Sequence, residues 1–224
     1  MKPDPVYCYP PDFTVLRNRL DIRDAGELRR QERLFTRVRG EQGLPEGDFD
    51  LDHLKAIHGH LFQDVYGWAG EIRTVEIEKG GTEFGYQQMI APEMAAVHRR
   101  LKSANHLRGL APGEFTAEAA RVLGDVNYIH PFRDGNGRAQ LAWLAQLGAQ
   151  AGHQVDLARL ERDPWIEASK AASAARPDFQ PMARCIEATI TRERSRDESQ
   201  RHQRMLDQAR ERAAPKSKDQ DRER

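Results

Sequence analysis

His130-Pro131-Phe132-Arg133-Asp134-Gly135-Asn136-Gly137-Arg138 packs a candidate base, a carboxylate, a flexible turn and a fixed cation into nine residues. Upstream lies an apolar helical segment with Val122, Val126 and Ile129; downstream, Ala139 to Gly148 is a strong helix former without internal proline. The nine residues are therefore expected to form a loop that ends at a helix N-terminus. A first helical turn leaves backbone N–H groups unpaired and carries partial positive charge. Gly135 and Gly137 let the backbone turn sharply and approach a ligand, and Asn136 tolerates left-handed geometry. The amides of Gly135, Asn136 and Gly137, with the planar guanidinium of Arg138, make a candidate phosphate cradle. Asp134 offers the hard oxygen that Mg²⁺ takes. His130 titrates near neutrality and is the candidate base for a hydroxyl proton.

Taken singly, a Gly-Asn-Gly is most often a turn and a lone histidine most often structural; the joint pattern is what carries chemistry. All nine positions resemble the signature of Fic-domain proteins. Leu61 to Arg73 resembles the upstream helix end of that family, and Lys79-Gly80-Gly81 with Phe84 looks like its flap. Tyr7 to Pro10 and Leu16-Arg17-Asn18 resemble the start of bacterial Fic toxins, so the likeness covers about residues 6 to 190. It implies an all-α Fic fold, a helical bundle with a small β-hairpin flap beside the active-site loop. It also implies a protein AMP-transferase, in which His130 deprotonates a Ser, Thr or Tyr hydroxyl of a target protein and AMP passes from Mg²⁺-bound ATP. The pattern departs from many members at Leu141, where they carry a second arginine. That departure counts against ATP and in favour of another nucleotide or a phosphocholine donor. A non-catalytic binding module is the remaining alternative, although His130 and Asp134 are both intact. The family's inhibitory Ser/Thr-x-x-x-Glu-Gly/Asn helix is matched neither at Thr74–Glu78 nor at Thr189–Glu193. A small inhibitory antitoxin acting in trans is therefore the expected partner.

The flap has its own signature. Val75 and Ile77 alternate with Glu76 and Glu78, and Gly80-Gly81 suits a tight turn. A hairpin of this kind leaves an edge to which a target segment can add as a strand. Val75, Ile77, Lys79, Gly80 and Gly81 are the candidate docking residues.

Elsewhere the pattern is helical. Asp24 to Gly40 places Leu28, Leu34, Phe35 and Val38 near one face, and Asp50 is positioned to cap a helix carrying Leu51, Leu54, Ile57, His58, Leu61 and Phe62. His58 and Trp68 read as packed, Phe132 as a core anchor, and Arg133 as solvent-facing. Residues 1 to 12, rich in proline, read as extended. Further helices are expected over Gln88–Asn105, Glu114–Ile129, from Asp163, and over Pro181–Thr191, with a looser stretch from Gly148 to Gly152. Domain organisation is expected as a Fic domain at 1–190, core about 50–190, and a charged tail at 191–224, partly helical and then disordered.

The 224 residues carry 35 Lys plus Arg and 35 Asp plus Glu, a balance that gives no electrostatic case for nucleic acid or membrane. Two cysteines, Cys8 and Cys185, cannot make a disulfide framework, so a reducing, cytoplasmic setting is expected. Secretion into another cell by a dedicated machine remains compatible with this sequence.

Overall fold

The structure is a computed structural model that describes residues 4–79 and 82–191. Its helices are α1 (Ala25–Glu41), α2 (Leu51–Phe62), α3 (Ile90–Ser103), α4 (Pro112–Ile129), α5 (Asn136–Ala151), α6 (Arg162–Ala172) and α7 (Gln180–Thr189). A two-stranded ladder, β1 (Glu78–Lys79) and β2 (Thr82–Glu83), lies between α2 and α3. The expected charged tail at 191–224 lies outside the described residues from residue 192 on, as do Gly80 and Gly81.

Helix α4 is central and packs on α3, α5, α6 and α7. Phe115, Ala119, Leu123, Val126 and Ile129 are buried along one face of it, and Thr116, Ala120 and Gly124 are buried beside them, so burial extends beyond a single face. Asp24 and Asp50 cap α1 and α2 by accepting the N–H of Glu27 (2.7 Å) and His53 (2.8 Å). Pro112 stands in the first turn of α4, where its missing N–H costs no helical bond.

The expected apolar face of α1 is corrected. Leu34 and Val38 are exposed, and the buried stripe is Leu28, Glu32 and Thr36, spaced i, i+4, i+8. The polar members turn inward because they meet Arg138 and Tyr66. The N-terminal segment is not extended either. It turns and forms a bridge between Cys8 and Leu16, held by the Arg17 guanidinium donating to the carbonyls of Cys8 (2.9 Å) and Pro5 (3.1 Å). Helix α5 runs on to Ala151, past the stretch expected to loosen at Gly148.

The hairpin is shorter than the alternation suggested. Glu78 pairs with Glu83 and Lys79 with Thr82, and pairing stops there. Arg73 explains the stop: its guanidinium takes the Val75 carbonyl (2.8 Å), which a longer ladder would need. Val75 packs against the core, so Val75 and Ile77 precede the strand and do not line its edge.

Candidate active site

The loop between α4 and α5 is anchored at three points. Helix α4 ends at His130, whose backbone adopts left-handed geometry (φ 47°) and turns the chain out of the helix. Phe132 is fully buried, worth about 1.5–3 kcal/mol as an anchor. Asn136 then clamps it from both sides: Oδ1 accepts the Phe132 N–H (2.9 Å) and Nδ2 donates to the Phe132 carbonyl (2.7 Å). The Asn136 side chain is thus spent inside the loop, and its backbone N–H is what it can offer to phosphate, as the sequence reading expects.

His58 supplies the third anchor. Its Nδ1 accepts the Gly70 N–H (2.9 Å), so its Nε2 carries the proton and donates to the Asp134 carbonyl (3.0 Å). The ring stacks on Phe132 with centroids 3.9 Å apart. Burial pushes its pKa down to about 4, which keeps it in the neutral form this tautomer needs. At Gly135 (φ +82°) a Cβ would stand 2.5 Å from the Phe62 ring and 3.0 Å from His58 Nε2, so only glycine fits. Gly137 differs: it is exposed, and a Cβ there would meet nothing within 4 Å. Open space therefore lies at the first turn of α5, where unpaired amides gather.

His130 sits at the rim of that space. Its Nδ1 lies 3.0 Å from the Asn127 carbonyl. A carbonyl only accepts, so Nδ1 carries the proton and Nε2 presents its lone pair. Phe84, the first residue after β2, stacks on the ring with centroids 3.7 Å apart. Burial, chiefly, pushes the His130 pKa down to about 4, with the positive charges of Lys79 and Arg73 adding to it. The imidazole is therefore neutral and able to accept a proton at pH 7.

The charged groups are held in fixed places. Asp134 Oδ1 accepts the N–H of Gly135 (2.6 Å), which leaves Oδ2 for another partner. Arg138 donates to Glu32 of α1, lies 3.4 Å from Thr36 Oγ1, and stacks over Phe62, its guanidinium carbon 4.6 Å from the ring centroid. Tyr66 donates its hydroxyl to the other oxygen of Glu32. Burial and the Glu32 charge hold the Tyr66 hydroxyl far above its usual range, so Tyr66 remains a donor. Arg133, expected in solvent, instead pairs with Asp4 at 2.5 Å, because the N-terminal segment folds back over the loop.

The structure thus brings together His130, Asp134, Gly135, Asn136, Gly137 and Arg138 in one loop and helix start, with half-buried Phe84 stacked on His130 and the charge of exposed Lys79 acting on the same ring; Val75 and Ile77 lie before β1. Sequence reasoning missed Glu32, Tyr66 and the role of Arg73. Arg73 is fully buried and donates to the carbonyls of His130 (2.9 Å), Val75, Gly85 and Ile129 and to the Glu76 carboxylate (3.1 Å). It fastens the flap base to the end of α4. The Leu28–Glu32–Thr36 spacing was the available signal for Glu32; nothing local marked Arg73.

Comparison with known proteins agrees with this arrangement. The Fic/DOC family model matches residues 48–147. A probable protein adenylyltransferase of Sinorhizobium fredii is 39% identical over 188 residues, covering 84% of this chain and 96% of that protein. A probable protein adenylyltransferase Fic of Escherichia coli is 34% identical over 171 residues, 75% of this chain and 84% of its own length. Among solved structures, the VirB-translocated effector BepC of Bartonella tribocorum, with bound AMPPNP, superposes with a TM-score of 0.77 at 26% identity, over 86% of this chain and 100% of that one. This chain belongs to the Fic/DOC family, and its mostly helical architecture with a small antiparallel hairpin is the Fic fold.

Proposed function

We propose that the chain is a protein adenylyltransferase, moving AMP from a nucleotide to a Ser, Thr or Tyr hydroxyl of a target protein. The relatives named adenylyltransferases support the reaction class, and the effector with bound AMPPNP supports an adenine nucleotide as donor. The observation that carries the reading here is the tautomer of His130, with Nε2 unprotonated beside the open first turn of α5.

In this reading the target oxygen attacks the α-phosphorus as its proton passes to His130 Nε2, and pyrophosphate leaves. The N–H groups of Gly137 and its neighbours in the first turn of α5 and the Arg138 guanidinium hold the phosphate charge. Asp134, through its free oxygen, fits the hard-oxygen demand of Mg²⁺. When bound, the ion supplies phosphate bridging and charge neutralisation. The chain supplies positioning and provides no covalent nucleophile.

The short β1–β2 ladder serves as the docking edge, with exposed Lys79 on it. An antitoxin in trans supplies inhibition, and the working compartment is the cytoplasm. No helix among the described residues is long and apolar enough to cross a membrane. A second donor is favoured by one observation: Leu141 packs against the core where many members carry a cation, so the far phosphates would be held by one charge fewer.

Lysate incubated with nucleotides labelled at the α-phosphate tests both readings. Protein label from ATP that disappears in His130→Ala supports AMP transfer. Label from another nucleotide alone supports the second donor. No His130-dependent label overturns both.

A further inference from the structure

Three side chains outside the loop converge near the N-terminal end of α2. Asp48 comes from the loop before α2, His98 from α3, and His106 from the single 3₁₀ turn that follows α3. One carboxylate and two imidazoles place their ligand atoms within 4.8 Å of one another. His98 Nε2 is 3.0 Å from Asp48 Oδ2, and His106 Nε2 is 3.3 Å from Asp48 Oδ1.

His106 makes this more than a hydrogen-bonded surface cluster. The residue is 8% exposed, and its Nε2 is buried without a hydrogen-bond partner. The 3.3 Å approach to Asp48 lacks hydrogen-bond direction, so the nitrogen stays unsatisfied while aimed into the cluster. A buried imidazole nitrogen left this way is costly unless something else meets it.

We propose that Asp48, His98 and His106 form a transition-metal site that takes Zn²⁺, Co²⁺ or Ni²⁺. Two imidazoles with one carboxylate suit these ions, whereas Mg²⁺ prefers an all-oxygen shell. Around a tetrahedral ion with bonds of about 2.0–2.1 Å, neighbouring donors stand roughly 3.3 Å apart. His98 Nε2 is near that spacing from Oδ2 of Asp48 and His106 Nε2 from Oδ1; with the three ligand atoms within 4.8 Å of one another, small side-chain rotations bring one oxygen and both nitrogens onto an ion. Lys102, 3.8 Å from Asp48 Oδ2, competes for that oxygen but is exposed and free to swing away.

The site is structural. Phe49, next to Asp48, packs edge-on against Trp143 of α5, with centroids 5.4 Å apart, and lies 5.7 Å from the His106 ring. An ion here would join the entry of α2 to the end of α3 and hold Phe49 over α5. His58, about two turns further along α2, reaches the catalytic loop through the Asp134 carbonyl and is not one of these three ligands, so the two centres do not share ligands.

The test uses the full chain, stripped with chelator and titrated with Co²⁺ and then Zn²⁺. One equivalent should bind with a visible Co²⁺ absorption band, displaced by Zn²⁺, and the melting temperature should rise. Asp48→Asn, His98→Gln and His106→Gln should each weaken binding tenfold or more, whereas Lys102→Ala should not weaken it and His130→Ala should leave the band in place. Should a ligand variant fail to fold, Co²⁺ broadening of the imidazole resonances in the wild type locates the ion without substitution; loss of the His98 and His106 signals first is expected. No saturable equivalent, binding unchanged in both histidine variants, or broadening centred on other histidines would overturn the site.

Discussion

The Phe84 ring lies face to face on the His130 imidazole, with centroids 3.7 Å apart and 19° between planes. Burial under it, together with Lys79 and Arg73, is what pushes the His130 pKa down to about 4 from an ordinary 6.5. The base is neutral above that value, so kcat/KM should stay flat from pH 8 to about 5.5 and fall only near pH 4. Phe84→Ala re-exposes the ring and should move the acid limb up toward 6.5. The pH profile of label transfer measures this; a wild-type limb already at 6.5, unchanged in the variant, contradicts it.

Glu32 fixes Arg138 from a helix about a hundred residues upstream in sequence. Removing its charge leaves the guanidinium without its anchor while the loop keeps its other supports. Glu32→Gln should raise KM for the nucleotide about tenfold, the cost of one charge-assisted hydrogen bond, with kcat changed less. Tighter nucleotide binding in the variant would instead mean that Glu32 competes with phosphate for Arg138.

Arg73 holds four backbone carbonyls from a fully buried position. Arg73→Met should destabilise the fold by about 3–5 kcal/mol, since several buried acceptors lose their donor at once. Urea unfolding gives the number. Arg73→Lys should recover little, because an ammonium cannot reproduce the planar fan.

Acid should loosen the loop through His58. Its folded pKa of about 4 lies below the unfolded 6.5, so between these values the unfolded chain binds more protons. Stability is then fully present above pH 6.5 and is lost as pH falls toward 4, by about 3 kcal/mol in all. The difference between unfolding free energies at pH 7.5 and 4.5 should be smaller in His58→Phe than in the wild type by about 2–3 kcal/mol, the part that remains including the equally depressed His130.

The motif was readable because its chemistry is local. Loop, helix start and phosphate-binding glycines all follow from nine consecutive residues, and the aspartate caps of α1 and α2 from single positions. What escaped is non-local. Leu34 and Val38 look like core on periodicity alone, yet α1 turns Glu32 and Thr36 inward because their partners come from Tyr66 and Arg138. The alternation at Val75 and Ile77 reads as strand, yet Arg73 removes the carbonyl that a ladder needs. Asn136 reads as part of the phosphate cradle, and only the pair of hydrogen bonds between its side chain and the Phe132 backbone reveals a clamp.

Asp4 and Arg133, 129 positions apart, are joined across the outer side of the loop. On a ribosome adding roughly 5–20 residues per second, the first of these waits on the order of ten seconds for the second. The opening segment therefore spends that interval without its counterpart, and this clasp on the catalytic turn cannot close before Arg133 has been made.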